Sequence, residues 1–157
     1  MATTTPIPES ILADVATKLA LITTGNSFRN TVATVGRQFL NPQTIGRGSK
    51  MPMLAVFDEK IDWEVHGIGS APKQMGVFLF KIQGLMVAYS NPSTTISKLV
   101  QDVREKLYED RSRGGYADNT HVLSVELGGE GLTNKPFAAK PFVGFLMEVE
   151  VNYQEHL

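Results

Sequence analysis

The chain has 157 residues, a usual length for one domain, and its 15 basic and 16 acidic residues leave a formal net charge of -1. This balance excludes an overall electrostatic bias toward nucleic acid or an anionic membrane, and the absence of cysteine excludes disulfides and thiolate metal sites. No apolar run approaches the ~20 residues of a membrane-spanning helix, and the N-terminus lacks the pattern of a signal peptide. We therefore expect one soluble intracellular domain over residues 1–157, with residues 1–6 flexible.

The first periodic segment predicts an amphipathic helix from Pro8 to about Thr23. Its apolar residues recur at helical spacing, which places them on one face. Asp14 and Lys18 are spaced to form an ion pair on the exposed side of this helix. The apolar stripe consists of Ile11, Val15, Leu19 and Ile22.

Four segments before the second helix predict strands. Thr31–Phe39 is rich in β-branched residues, and the uninterrupted apolar run Met53–Phe57 predicts a short buried strand. Lys60–His66 alternates between apolar and polar residues, as a half-buried strand does. Val77–Ala88 is the longest apolar segment, and Gly84 within it predicts a bulge or a bend.

The most informative stretch runs from Ile96 to Leu127 and predicts an amphipathic helix, a Gly-Gly stop, a polar loop and a strand. Asn91 and Pro92 suit the N-cap and the first helical position. Gly114 and Gly115 suit the end of the helix, where left-handed backbone is common. The apolar stripe of this helix consists of Ile96, Leu99, Val100, Val103 and Leu107.

The last two predicted strands also show alternation. In the first of these strands, alternate residues share a face. Leu123, Val125 and Leu127 lie on one face, and Ser124 and Glu126 lie on the other. The second covers Phe142–Gln154, and its inward positions are Val149, Val151 and Tyr153.

The order of elements is helix, three or four strands, helix and two strands. Consecutive strands favour an antiparallel or mixed sheet, and two amphipathic helices can cover one face of it. We therefore predict an α+β fold with both helices packed on one face of a mostly antiparallel or mixed sheet. Three loops are long enough to suggest interfaces, namely residues 40–52, 66–75 and 128–141.

No residue set predicts catalysis, cofactor binding or a metal site. The three histidines show no metal-ligand spacing, and the loop at Gly46–Lys50 lacks both the spacing and the following helix of a phosphate-binding loop. Carboxylate pairs are more simply explained as solvated faces than as a hydrolase site, which would need two acids across a cleft. These pairs are Asp58 with Glu59, Glu109 with Asp110, and Glu148 with Glu150.

Basic residues do not predict nucleic-acid binding either. Arg37, Arg47 and Lys50 form one loose group, and Arg104, Arg111 and Arg113 form another that is flanked by acidic residues. No aromatic side chains alternate with these basic residues, as they do in proteins that bind single strands. We predict a protein that is not an enzyme, with a small carboxylate-based enzyme and a nucleic-acid-binding module as the alternatives from other classes.

The order of elements resembles that of the tail-terminator or tail-completion proteins of long-tailed bacteriophages, the minor tail protein U-like group. The likeness extends from about residue 8 to 155 and includes the apolar strand Pro52–Phe57 and the final alternating strand. RSRGG at Arg111–Gly115 stands where the family more often has TLGG. The helix-to-turn motif is carried by Leu99, Asp102, Val103, Leu107, Asp110, Gly114 and Gly115.

The resemblance implies a structural virion protein at the head-proximal end of the tail. Members of this family have an α+β fold and form a ring, commonly a hexamer, that ends tube polymerisation and provides the docking surface for the head. The implied partners are further copies of the chain, the tail tube protein and a head-completion or neck protein, with no cofactor, membrane or specific nucleic acid. Another neck component, such as a head-closure or connector protein, stays open as an alternative.

Overall fold

Two helices and a sheet of five strands are present in the computed structural model, which describes residues 5–42, 44–45, 49–66, 73–87, 90–129 and 142–156. The elements are α1 Ile7–Leu19, β1 Thr34–Gly36, β2 Met53–His66, β3 Lys73–Val87, α2 Pro92–Glu109, β4 Asn119–Gly129 and β5 Phe142–His156. The strand order is β1-β2-β3-β5-β4, with β1 parallel to β2 and all other neighbours antiparallel. This mixed sheet with two helices confirms the predicted α+β class.

Both helices pack against the same face of the sheet. Phe78, Phe80 and Ile82 alternate along β3 toward this face and are at most 1% exposed. The predicted stripes of the two helices join them in one apolar core, so the amphipathic pattern correctly predicted the buried face. The helix residues fully or almost fully buried there are Ile11, Leu12, Val15, Leu19, Ile96, Leu99, Val103 and Leu107.

The helix boundaries differ in detail from the predicted ones. Pro92 occupies the first turn of α2 as predicted, but Asn91 before it has left-handed backbone and its side chain makes no capping hydrogen bond. α1 ends at Leu19, earlier than its apolar period suggested. Ile22 is nevertheless fully buried, because the chain turns back and the Val32 N–H donates to its carbonyl at 2.9 Å.

The first strand is much shorter than the predicted Thr31–Phe39. Only Thr34–Gly36 pairs with β2, and the chain then crosses to the face of the sheet opposite the helices. There the Gln83 side chain accepts from the Leu40 N–H at 2.7 Å and donates to the Leu40 carbonyl at 2.8 Å. The Gln83 side-chain amide therefore supplies the hydrogen bonds that a neighbouring strand would otherwise give the Leu40 backbone. No local sequence pattern could indicate this contact.

The two predicted strands Met53–Phe57 and Lys60–His66 form one continuous strand, β2. Its register against β3 shifts between Asp58 and Lys60, which leaves Glu59 as the extra residue of a β-bulge. The charged residues around the bulge interrupt the apolar pattern without ending the strand. The prediction of two strands was therefore wrong in its count and correct in its ranges.

Gly84 does not mark the predicted bulge or bend. It stays in register between Leu54 of β2 and Phe145 of β5, and a Cβ built on it would lie 2.2 Å from Cε1 of Phe145. Gly76 is similar, since a Cβ there would lie 2.4 Å from Cζ of Tyr153. Both glycines therefore leave room on β3 for an aromatic ring from β5.

The predicted alternation of β4 is wrong at Leu123. The register against β5 shifts between Val122 and Ser124, so Leu123 is the extra residue of a second bulge and is 49% exposed. Val122 takes the inward position in its place. The other two predicted inward residues do pack against the core, namely Val125 and Leu127.

The alternation predicted for β5 is confirmed, because Val149, Val151 and Tyr153 are all fully buried. The Tyr153 ring lies edge-on to Trp63 of β2, with ring centroids 5.6 Å apart. Burial raises the pKa of Tyr153 to about 12, so this phenol stays neutral at physiological pH.

We predict that Val103→Asp lowers the free energy of unfolding by at least about 3 kcal/mol, because the substitution puts an unpaired charge into the core between α2 and the sheet. Ser97→Asp, on the exposed side of the same helix, is the matched control and should change it by less than about 0.5 kcal/mol. Chemical denaturation measures both. Equal effects of the two substitutions would contradict the packing of α2.

We also predict that Gly84→Ala destabilises by about 1–3 kcal/mol, because the new methyl group meets the buried Phe145 ring. Gly36→Ala is the control, since a Cβ at Gly36 meets nothing within 4 Å. A double-mutant cycle with Phe145→Leu should recover part of the loss if the clash is its cause. Strictly additive effects in this cycle would refute the proposed role of Gly84.

Candidate functional site

The carboxylate pairs singled out in the sequence do not converge on a cleft. Asp58 and Glu59 lie at the exposed bulge of β2, where Glu59 is 3.7 Å from Lys81. On α2, Glu109 pairs with Lys106 at 2.8 Å. Glu59 and Glu109 therefore belong to solvated ion pairs of separate elements.

Glu148 and Glu150 lie on the face of β5 that points away from the helices. Glu148 stands beside Lys81 and Ser124 in the adjacent strands. A depression here, lined in part by Glu126, has a volume of about 30 Å³, enough for about two water molecules. It has no room for a substrate.

His121 lies in β4 beside polar neighbours. Its Nε2 is 3.0 Å from the Asn119 side-chain nitrogen, and its Nδ1 is 3.4 Å from Arg111. The side chains of His66 and His156 lie outside the described part of the structure. Within that part, no group of three or more His, Asp or Glu side chains is arranged to hold a metal ion.

Asp102 anchors the segment after α1 to α2. This carboxylate is fully buried and accepts four hydrogen bonds, two from backbone N–H groups and two from side chains. The donors are the N–H and guanidinium of Arg29 and the N–H and side-chain amide of Asn30, at 2.8–3.2 Å. Arg29 also bonds Glu105, which extends the link to the exposed side of α2.

Asp110 organises the turn between α2 and β4. One carboxylate oxygen accepts from the Ser112 N–H and hydroxyl, and the other from the Gly114 N–H at 2.9 Å. Lys18 of α1 also donates to it at 2.5 Å, and this ammonium is the main reason why the pKa of Asp110 lies far below its usual range. The turn is thereby held against α1.

Arg113 lies at the centre of this turn and is fully buried. Its guanidinium donates to the Leu107 carbonyl and lies 3.7 Å from the Asp14 carboxylate of α1. Burial lowers the pKa of this arginine, and the nearby acids oppose that shift. Arg113, Gly114 and Gly115 all have positive φ, so the backbone at the predicted Gly-Gly turn is left-handed. The helix itself already ends at Glu109, before this turn.

The polar residues of the helix-to-turn segment therefore have structural roles. Asp102 holds the preceding segment, and Asp110 with Gly114 and Gly115 shapes the turn. The sequence alone did not indicate their distant partners Arg29 and Lys18, which lie 73 and 92 positions away. A buried aspartate in the middle of an apolar helix face was the available signal.

The free edge of β4 is one exposed surface of the sheet. β4 pairs only with β5 among the described strands. The first part of its outer edge is covered, because the Tyr108 hydroxyl accepts from the Val122 N–H at 3.0 Å and Arg111 lies 3.4 Å from the Thr120 carbonyl. The part from Leu123 to Gly129 has no such cover among the described contacts.

A groove runs between this part of β4 and α2. Its volume is about 490 Å³, and partly buried apolar side chains form its floor. Arg104 lies on its α2 side and Leu123 on its β4 side. The lining residues are Ser97, Val100, Gln101, Arg104, Val122, Leu123, Ser124, Val125 and Leu127.

The opposite edge of the sheet is the outer side of β2. β1 pairs with it only at Met53–Ala55, and no other described strand pairs with this side of β2. Ile61 and Trp63 lie there on the helix-bearing face and are 36% and 45% exposed. Of the seven large hydrophobic side chains exposed in the described structure, four therefore lie at the two edges: Ile61, Trp63, Tyr108 and Leu123.

The three long loops, of which 40–52 and 128–141 were predicted as interfaces, are only partly described. Leu40 lies against the sheet face opposite the helices, and Pro42 is buried. Residues 67–72 and 130–141 lie outside the described residues, and Gly128 and Gly129, assigned to the third loop from sequence, belong to β4.

No protein-family model matches this chain, and no curated protein matches it either. In the described structure, no helix combines the length and apolar character needed to cross a membrane. The interpretation of function therefore depends on the residues and on the two sheet edges.

We predict that Asp110→Asn destabilises the fold at neutral pH and that this difference shrinks in acid. A carboxyl whose pKa is depressed by folding stabilises the protein above its unfolded pKa of about 3.9 and loses that contribution as the pH falls below it. Unfolding at several pH values between 7 and 3 measures this, with Glu109→Gln as a surface control. A difference that does not vary with pH would contradict the assigned role of the charge.

Proposed function

We propose that this protein is a non-enzymatic subunit of a ring at the head-proximal end of a phage tail. In this role it caps the tail tube, ends its polymerisation and provides the docking surface for the head. The resemblance in element order and in the helix-to-turn motif supports the family. The observation that carries the ring is the pair of open sheet edges, on opposite sides of the subunit, where exposed apolar residues concentrate.

The proposed mechanism is geometric. A contact between two different surfaces of the same subunit repeats around an axis and closes into a ring when the rotation allows it. Closure covers both sheet edges of every copy, which would otherwise be open to unregulated pairing. We propose six copies, by analogy with the family.

The remaining surfaces would meet the neighbouring virion proteins. One end of the ring would bind the last ring of the tail tube protein, and the other a head-completion or neck protein. Loops that become ordered only on docking would bind the finished tube end in preference to free tube subunits. Only the complete tube end offers enough contact to offset the entropy that these loops lose on ordering. A ring elsewhere in the neck is the nearest alternative.

The test has two parts. Purified protein should show a multiple of the 17.2 kDa chain mass across a concentration series, and images should show a ring with a central hole. Gold-labelled rings added to purified tail tubes should then bind at one end of each tube.

Each outcome decides between the alternatives. Binding at one tube end would support the terminator role, whereas rings that ignore tubes but bind purified portal or connector particles would favour another neck component. Protein that stays monomeric at every concentration and also fails to bind tube ends would refute the proposal.

A further inference from the structure

The directions of the two edge strands, β2 and β4, suit a contact between copies. Along the sheet from β2 to β4, each of the three successive pairings is antiparallel, so β2 and β4 run in opposite directions within one subunit. If copies are arranged head to tail around an axis, β4 of one copy meets β2 of the next in antiparallel orientation. This is the commoner and slightly more stable kind of strand pair.

The side chains at the two edges also lie on the same face. The groove lies between β4 and α2, hence on the helix-bearing face. Ile61 pairs with the core residue Phe78, and cross-strand neighbours share a face, so Ile61 and Trp63 point to that face as well. We infer that β2 of one copy adds to β4 of the next, with Ile61 and Trp63 entering the groove beside Val100 and Leu123.

This inference rests on the proposed ring and names the contact that would close it. It commits to a second copy as the occupant of the groove because the two edges of one subunit are complementary. β2 runs antiparallel to β4, and its exposed Ile61 and Trp63 lie on the face that bears the groove. On that face, Asp58 of β2 pairs with the core residue Phe80 and carries a charge opposite to that of Arg104, which lines the groove.

The open parts of the edges determine the offset between copies. Val122 lies level with Asp58 across the sheet, so the open part of β4 is level with the part of β2 that β1 covers. The next copy must therefore be shifted along the strand direction by roughly six residues, about 20 Å. Each copy contributes four strands to the joined sheet, a width of about 19 Å across the strands. These lengths incline the strands by about 45° to the ring axis, near the tilt found in closed sheets.

The absence of cysteine makes this contact directly testable by cross-linking. Single-cysteine variants Asp62→Cys on β2 and Ser124→Cys on β4 place exposed thiols on the same sheet face. A short bis-maleimide linker can join the two thiols in several registers of the β2–β4 pair. We expect dimers when the two variants are mixed, no dimers from either variant alone, and closed rings from the double variant.

Each possible outcome of the cross-linking is informative. Dimers from a single variant alone would show like edges in contact and overturn the inference. A ring by mass and image, without cross-links between the two edges, would also overturn it while leaving the proposed function standing. Failure of the unmodified protein to assemble at any concentration would count against the proposed ring itself. Thr17→Cys, on the exposed side of α1, gives the background.

A second pair of variants separates the contact from folding. Leu123→Glu should reduce the yield of mixed dimers about tenfold or more, because it puts a charge on the apolar rim of the groove. Leu21→Glu is the matched control, since Leu21 is 48% exposed and Leu123 is 49% exposed. Both variants should melt like the parent. Equal yields from the two would refute docking in the groove.

Discussion

The apolar stripes of α1 and α2 pack against a single face of the sheet, where Phe78, Phe80 and Phe145 fill the middle of the core. Burial of these stripes is the main favourable contribution to the fold, because apolar area removed from water stabilises a domain more than its surface ion pairs do. The strands are longer than the helices can cover. Ile61 and Trp63 therefore stay exposed on the same face, at the edge of the sheet beside the core residues Phe78 and Tyr153.

Polar anchors decide how the helices sit on this core. Asp102 fixes the segment that follows α1, and the turn of Asp110 and Arg113 joins the end of α2 to Asp14 and Lys18 of α1. These groups are buried or partly buried and lie beside groups of opposite charge, so losing one partner leaves the other without compensation. These charged residues thus hold the two helices and the segments that adjoin them in place on the sheet.

The same architecture connects the fold to the proposed assembly. Among the described residues, Tyr108 and Arg111 cover only the start of the β4 edge, and the groove lies beside its other end. Both edge strands carry a bulge, which increases local twist and disfavours indiscriminate pairing with other sheets. A partner that pairs with these edges must match their twist and their charge, as an identical subunit can.

The sequence by itself determined the element types, the buried helix faces and the α+β class, because the periods of 3.6 and two residues are local and directly visible. It also predicted the inward residues of β5. Only the tertiary structure decided the bulges at Glu59 and Leu123, the short β1 and the role of Gly84. Register, bulges and ring-over-glycine contacts depend on residues of a neighbouring strand far along the chain. The candidate edges follow from the strand order, which long-range pairing sets and no local pattern contains.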